Sequence, residues 1–469
     1  MKIKLYFLTL VLFGLTQLKL IAQSNADLQL ETGDSYPIMQ NDAAHPCITP
    51  QQYKTIEKQN IENCKLLGLP YESGILPTTT TFIWPLQSTN GLNDCSYYYI
   101  GNYLDQDATS PGILDWNCGT VTYDGHQGTD ICTYPYPFYK MDNNQVKVIV
   151  AAPGTIINKE DGHFDKNCAW TDSTANYIVV QHADGSCAMY WHMKKNSLTS
   201  KTIGQTVAAG EYLGMVGSSG MSSGPHLHFE VLSGITMNTL NDSYAGPCNS
   251  LNANSWWVAQ KPYTEPAVIQ ASVHPVPAIF PTCPTTETPN EDSCFTAGSS
   301  VKFYTFYRNE TAGMICNMRI INPDGSTFLS WTHNSNVSHL CSYWISTKTL
   351  PALAGTYTFE SVYNGDTCSK LFKINCTTTY IHENINSIEN ITIYPNPFSN
   401  EATIKISSSE KIENAELKIF NVLGNEVENI SGINSNEIKI KRGGIGQGIY
   451  FFQLKNSARN IASGKFLIL

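Results

Sequence analysis

The sequence predicts a mostly β protein: an antiparallel β domain over residues 81–265, then two β-sandwich units within 283–378 and 387–469. Three observations carry this reading. Short runs rich in β-branched and aromatic residues (146–151, 177–181, 188–192, 212–216, 226–231) recur between Gly, Asp and Asn turns. Val179-Val180-Gln181-His182 runs into Ala183-Asp184-Gly185 with another apolar run behind it, and Asp-Gly between apolar runs is a strong hairpin signal. Charged residues make up only 14% of the chain, against about 25% in ordinary soluble domains. Together with 25 tyrosines, this suits a rigid, β-rich extracellular protein better than a helical cytosolic one.

From the N-terminus, Lys2 and Lys4 precede a largely apolar run from Leu5 to Leu15, and Ala22 precedes Gln23. This is the layout of a signal peptide, residues 1–22, cleaved after Ala22. The run is too short for a comfortable bilayer span, and no other stretch approaches about 20 apolar residues. The mature chain is therefore expected to lack a transmembrane segment and to be secreted. Residues 23–80 are polar and poorly patterned, with one helix expected over 51–66, and read as a lead-in or propeptide. Such a segment could hold the protein latent, with Asn41, Asp42 and His45 as possible donors to the site and Cys47 and Cys64 fixing its shape.

The net charge of −10, without a basic cluster, excludes nucleic acid as a partner and gives no reason to expect attraction to anionic lipid. The 14 Cys form no CxxC pair. In an exported chain that favours disulfides and argues against a thiolate-held zinc. Neighbours in sequence suggest the local bridges Cys47–Cys64 and Cys168–Cys187. Residues 266–282 contain Pro266, Pro275, Pro277 and Pro281 and read as a semi-rigid linker. About seven short strands in 283–378 predict a β-sandwich, and Ala354-Gly355-Thr356-Tyr357-Thr358-Phe359 is similar to the penultimate strand of an immunoglobulin-like module. No chemical constellation falls there, so a spacer or binding module is expected.

Five positions carry chemistry. In a strand, His226 and His228 of His226-Leu227-His228 project to one face, together with Glu230. His126 and Asp130 lie four apart around Gly128 and can turn toward one point. His192 ends an apolar strand. Each signal is weak alone. Together they are what a catalytic zinc site requires: three protein donors and one open position. His126, Asp130 and one imidazole of the pair would be donors. The other imidazole and His192 would stand beside the metal to move a proton and to stabilise an oxyanion. No HExxH helix is present, so histidines take the place of a Glu base. The Gly/Ser run 217–224 lacks the Lys of a phosphate loop and precedes a strand, and reads as a flexible groove wall. Asn176 is a candidate for orienting the site. Tyr190 and His182 read as packing residues.

His126-x-x-x-Asp130, Tyr190-x-His192 and Gly224-Pro225-His226-Leu227-His228-Phe229-Glu230 resemble the lysostaphin and LasA family of zinc endopeptidases. The resemblance runs over about residues 120–232 and includes Ala152-Pro153-Gly154-Thr155-Ile156, the 176–185 hairpin and the 207–217 segment. It implies the duplicated hybrid motif of that family and one Zn²⁺ per chain. It also implies His126, Asp130 and His228 as ligands and His192 and His226 as the catalytic pair. The expected activity is hydrolysis of Gly-containing or peptidoglycan cross-bridge peptides. The alternatives are a protease on Gly-rich proteins such as elastin, or a non-catalytic wall-binding or amidase-regulating module. The chain departs from the family in its extra Cys, notably Cys132 and Cys187, and in an insertion between Glu160 and Thr174. The final stretch, with Tyr394-Pro395-Asn396-Pro397-Phe398, Phe420-Asn421-Val422-Leu423-Gly424 and Gly448-Ile449-Tyr450-Phe451-Phe452, resembles the C-terminal sorting domain of the type IX secretion system of Bacteroidetes. That likeness implies export through the periplasm and outer membrane by that machinery.

Overall fold

The computed structural model describes residues 32–35, 47–71, 80–169, 171, 173–280, 286–376, 390–407, 412–456 and 460–469. The signal peptide and the donors Asn41, Asp42 and His45 lie outside these. The fold is mostly β and almost wholly antiparallel. The chain divides into two compact units, 1–377 and 378–469.

The first unit is organised by an eight-stranded sheet. Its order runs Tyr98–Asn102, Thr129–Thr133, His226–Leu232, Cys187–Trp191, Tyr177–Gln181, Gly154–Glu160, Thr206–Val207, with Leu240–Asn241 pairing the His226–Leu232 strand. Its four middle strands, Thr129–Thr133, His226–Leu232, Cys187–Trp191 and Tyr177–Gln181, are buried along their length. Such strands read as continuous apolar runs, which explains why 177–181 and 188–192 were so plain in the sequence. One face carries a core that includes Phe82, Ile131, Val180, Tyr190, Leu227, Phe229 and Trp257. Tyr190 is among these packing residues, and its hydroxyl accepts from Ala151 N at 2.8 Å. His182 is likewise fixed, with Nδ1 2.9 Å from Pro153 O.

On the opposite face lies the helix Pro50–Leu67. Thr49 and Gln52 form a capping box, Pro50 opens the helix, and Gly68 closes it at φ +68°. It buries Tyr53, Ile56, Asn60 and Cys64, an i, i+3, i+7, i+11 stripe. Tyr53, Ile56 and Cys64 pack with Ile157, Tyr177, Val179, Met189, Trp191 and Leu232 of the sheet. The lead-in is thus built into the domain at this point.

Residues 266–282 are not simply a linker. Ala267–His274 is a strand buried along its whole length. It pairs with Ser300–Glu310 in a sheet that also holds His339–Thr349 and Thr32–Ser35. Spaced prolines fall at the ends of this strand, so their composition masked it. A second sheet, containing Ile315–Ile321, Gly355–Tyr363 and Asp366–Ile374, shares a core with the first through Val273, Phe303, Tyr307, Met318, Phe359 and Phe372. This two-sheet body is tied to the segments around the eight-stranded sheet by Cys95–Cys368, by the Arg308–Glu265 ion pair at 3.1 Å and by a Tyr134 hydroxyl bond to Ser342 O.

Neither local disulfide forms. Cys47, Cys64 and Cys187 are free thiols, while Cys168 is disulfide-bonded elsewhere. The observed bridges Cys95–Cys368, Cys118–Cys248 and Cys294–Cys376 join residues 273, 130 and 82 apart. Proximity in sequence misleads because the sheet brings distant strands together.

In the second unit, Asn390–Tyr394, Glu401–Ser407 and Glu437–Lys441 form one sheet, and Ala415–Asn421, Glu426–Ile433, Gly448–Lys455 and Asn460–Ile468 form another. Ile404, Leu417, Ile440, Phe452 and Phe466 fill the core between them. Among the described residues, no helix is long and apolar enough to cross a membrane.

Candidate metal centre

The His226–Leu232 strand sits between Thr129–Thr133 and Cys187–Trp191, and its register builds the centre. His228 lies directly opposite Asp130 on one side and Trp191 on the other. Facing residues of neighbouring strands have their Cβ atoms about 4.5–5.5 Å apart, so their side chains meet. His126 reaches the same point from the turn before Thr129. Gly128 permits that turn: a Cβ there would stand 2.7 Å from Phe229 O and 2.8 Å from the His228 ring.

The three groups converge tightly. His228 Nδ1 is 2.9 Å from Asp130 Oδ1. His126 Nε2 is 3.1 Å from His228 Nδ1 and 3.2 Å from Asp130 Oδ2. Donors about 2.0–2.1 Å from a tetrahedral metal stand about 3.3 Å from one another. The set therefore has the spacing and chemistry of a metal-binding triad. Two of the donors are held from behind by hydrogen bonds, and the third has a carboxylate nearby. His126 Nδ1 bonds Tyr103 O at 2.6 Å. Asn102 Nδ2 donates to Asp130 Oδ2 at 2.9 Å. His228 Nε2 is 3.5 Å from Glu230 Oε2. Such outer partners fix which ligand atom faces the metal.

His192 and His226 stand beside this triad, their ring centroids 4.5 Å apart. His226 Nδ1 is 2.8 Å from Gly224 O, and His192 Nδ1 is 2.7 Å from Ser219 O. A carbonyl partner requires an N–H at each Nδ1, so each Nε2 is an acceptor only while its ring is neutral. Burial lowers His226, but Asp130, with Oδ1 3.5 Å from His226 Nε2, raises it to about 10. Both Nε2 atoms are buried without a hydrogen-bond partner. His192 has φ +64°, a costly backbone conformation for this residue type, and the surroundings over-determine it. Asn176 Nδ2 donates to Met193 O at 3.0 Å and to His163 O at 3.1 Å. Ser219 Oγ donates to Met193 O at 2.9 Å and accepts from Asn176 N at 2.9 Å.

The Gly/Ser run is not a flexible wall. Ser218, Ser219 and Ser222 are fully buried. The insertion braces the run: Ser218 Oγ donates to Asn167 O at 2.6 Å, and Asn167 Nδ2 donates to Gly220 O at 2.8 Å. Serines read as solvated because of their polarity, but here they satisfy buried carbonyls. A cavity of about 240 Å³ opens beside Asp130 and His226, lined also by Tyr99, Asn102, Thr122 and Leu340. Leu340 belongs to the two-sheet body, so the accessory layer shapes the approach to the site.

Electrostatics follow from burial and convergence. Burial pushes the Asp130 carboxyl up, but His126 and His226 hold it well below the usual carboxylate range. Burial lowers His126, yet Asp130 raises it to about 9. His192 has no such carboxylate, and burial with the neighbouring His226 lowers it.

Sequence reasoning missed a thiol at this site. The buried Cys47 thiol lies among the same donors: its Sγ and the ligating atoms of His126, Asp130 and His228 are all within 4.8 Å of one another, and so are those of Cys47, His192 and His226. A thiol at this site runs against the expectation drawn from the absent CxxC. Cys47 comes from another segment, so no local spacing announces it.

Residues 125–240 match peptidase family M23, and residues 392–469 match the secretion system C-terminal sorting domain. An uncharacterised metalloprotease of Haemophilus influenzae is 28% identical over 99 residues, 21% of this chain and 20% of that protein. The peptidoglycan DD-endopeptidase ShyA of Vibrio cholerae is 40% identical over 57 residues, 12% of this chain and 13% of that protein. The matches thus span a fifth or less of those relatives' length. Among solved structures, the catalytic domain of the antimicrobial peptidase lysostaphin from Staphylococcus simulans is 21% identical, covering 33% of this chain and 95% of that one, with a TM-score of 0.20.

Proposed function

We propose that this chain, which carries an M23 peptidase domain and a type IX sorting domain that directs it to the cell surface or medium, is a zinc endopeptidase acting on the cross-bridge peptides of peptidoglycan. The convergence of His126, Asp130 and His228 within 3.2 Å of one another, with two further imidazoles alongside whose Nε2 atoms have no hydrogen-bond partner, carries the reading. The three donors would hold the metal. Bound there, zinc would supply Lewis acidity and bring a water pKa down to about 7.

The chain's own residues do the rest. His192 Nε2 faces the site as a lone pair, while His226 Nε2 lies 3.5 Å from Asp130 Oδ1 and offers a lone pair only when its ring is neutral. One can accept the proton of the attacking water and pass it to the leaving amine, while the other, once protonated, can donate to the oxyanion. The bonds from Ser219 O and Gly224 O keep both rings turned for this. The buried setting strengthens each interaction by excluding water. Asp130, charged and shared among imidazoles, offsets positive charge gathered at the centre. ShyA is named for an action on peptidoglycan.

Incubation of the purified protein with peptidoglycan sacculi and, in parallel, with elastin tests the substrate. New amino termini within the cross-bridge peptides are expected from the sacculi. Cleavage of elastin alone would redirect the reading to Gly-rich proteins, and cleavage of neither would favour a binding module.

A further inference from the structure

We infer that Cys47 is a fourth metal ligand, so that the N-terminal segment closes the centre in the full-length chain. This rests on the zinc-site reading above and adds its regulation. A catalytic zinc has three protein donors and one open position, whereas a structural zinc has four protein donors. The Cys47 Sγ stands where the open position would be, within 4.8 Å of the donor atoms of His126, Asp130 and His228 and, in a second grouping, of His192 and His226. The last two are independent witnesses. Their Nε2 atoms are buried and unpartnered, aimed at the space the thiol enters.

The thiol is delivered by ordered structure. Cys47 is free and buried, and Tyr123 Oη lies 2.7 Å from its Sγ. Two residues later, Thr49 caps the Pro50–Leu67 helix, and that helix is bonded to the sheet and to its flanking loops. Gln52 Nε2 donates to Ser173 O at 3.2 Å, Tyr53 Oη to Glu230 Oε2 at 2.8 Å and Asn63 Nδ2 to Ile157 O at 2.8 Å. Glu57 accepts from Met237 N at 3.2 Å.

Coordination is balanced simply. The thiol loses its proton to solvent and the thiolate takes the position a water would hold. No redox step is involved. While Cys47 is bound, neither His192 nor His226 has a water to act upon. Removal of the segment returns the position to water, and the same donors become a catalytic set.

The test uses the full-length mature chain. X-ray absorption on the zinc-loaded protein is expected to show one sulphur scatterer at about 2.3 Å. A first shell of nitrogen and oxygen only, with zinc stoichiometric, would overturn the inference and leave the peptidase reading standing. Absence of bound zinc would overturn both. In the cobalt(II) form, a thiolate-to-cobalt charge-transfer band is expected, lost in Cys47→Ser and kept in Cys64→Ser, with one metal bound in all three. Cys47→Ser should also raise the initial rate of peptidoglycan hydrolysis by at least roughly tenfold, the scale of exposing a site otherwise occupied. A band that survives Cys47→Ser would equally refute the assignment.

Discussion

Tyr53 Oη donates a 2.8 Å hydrogen bond to Glu230 Oε2, joining the N-terminal helix to the strand that carries His226 and His228. Both side chains are buried, and a bond to a charged group is worth about 1.5–3 kcal/mol.

Tyr53→Phe keeps the ring in its packing site and removes only that bond. The helix Pro50–Leu67 should then open more often, while the sheet beneath stays folded. Hydrogen exchange of the helix amides is expected to quicken by about tenfold or more, since every 1.4 kcal/mol is a factor of ten. Unchanged exchange would mean that the apolar stripe alone holds the helix.

Asn176→Ala removes the donor that braces Met193 O and His163 O. His192 at φ +64° then loses part of what enforces its conformation. In the Cys47→Ser background, kcat on peptidoglycan fragments should fall by about ten- to a hundredfold, with zinc content intact. Ser219→Ala should move in the same direction. A loss of zinc with kcat per bound metal unchanged would assign Asn176 to the metal triad rather than to His192.

Glu310 gives the accessory layer a pH dependence. Burial raises its pKa, but hydrogen bonds from His333, Ser342, Ser335 and Trp344 bring it to about 2, below its ordinary 4.5. Because the folded value is the lower one, this stabilisation is fully present above about pH 4.5 and is lost as pH falls toward 2. Its size at neutral pH is on the order of 3 kcal/mol. Thermal unfolding from pH 6 to 2.5 should show the loss in the wild type and a flatter profile in Glu310→Gln. Parallel profiles would rule out this network as the source.

How much was legible in the sequence depended on whether the signal was local. The 177–181 and 226–231 strands were plain because buried strands leave unbroken apolar runs, and His226-x-His228 fixes a shared face through strand periodicity alone. The helix over 51–66 was expected within a polar, poorly patterned stretch, and its buried stripe of Tyr53, Ile56, Asn60 and Cys64 emerged only in the structure. By contrast, the buried strand Ala267–His274 was hidden by flanking prolines. The long-range disulfides escaped because pairing is decided by sheet register. Cys47 escaped for a related reason: its partners lie at least 76 residues away, and nothing beside it in the chain marks a metal ligand. Asn102 was missed too, although it sits opposite Asp130 on the adjacent strand.

The central claim is that His126, Asp130 and His228 bind zinc for catalysis, and zinc affinity measures it most directly. The comparison is made between Cys47→Ser and the double variant Cys47→Ser, Asp130→Ala, so that the thiol cannot substitute for the missing donor. Competitive chelator titration should give one tightly bound zinc in the first protein. In the second, affinity should be weaker by more than about 100-fold, and hydrolysis of peptidoglycan should be lost with it. Equal zinc affinity and equal activity in the two proteins would contradict the account.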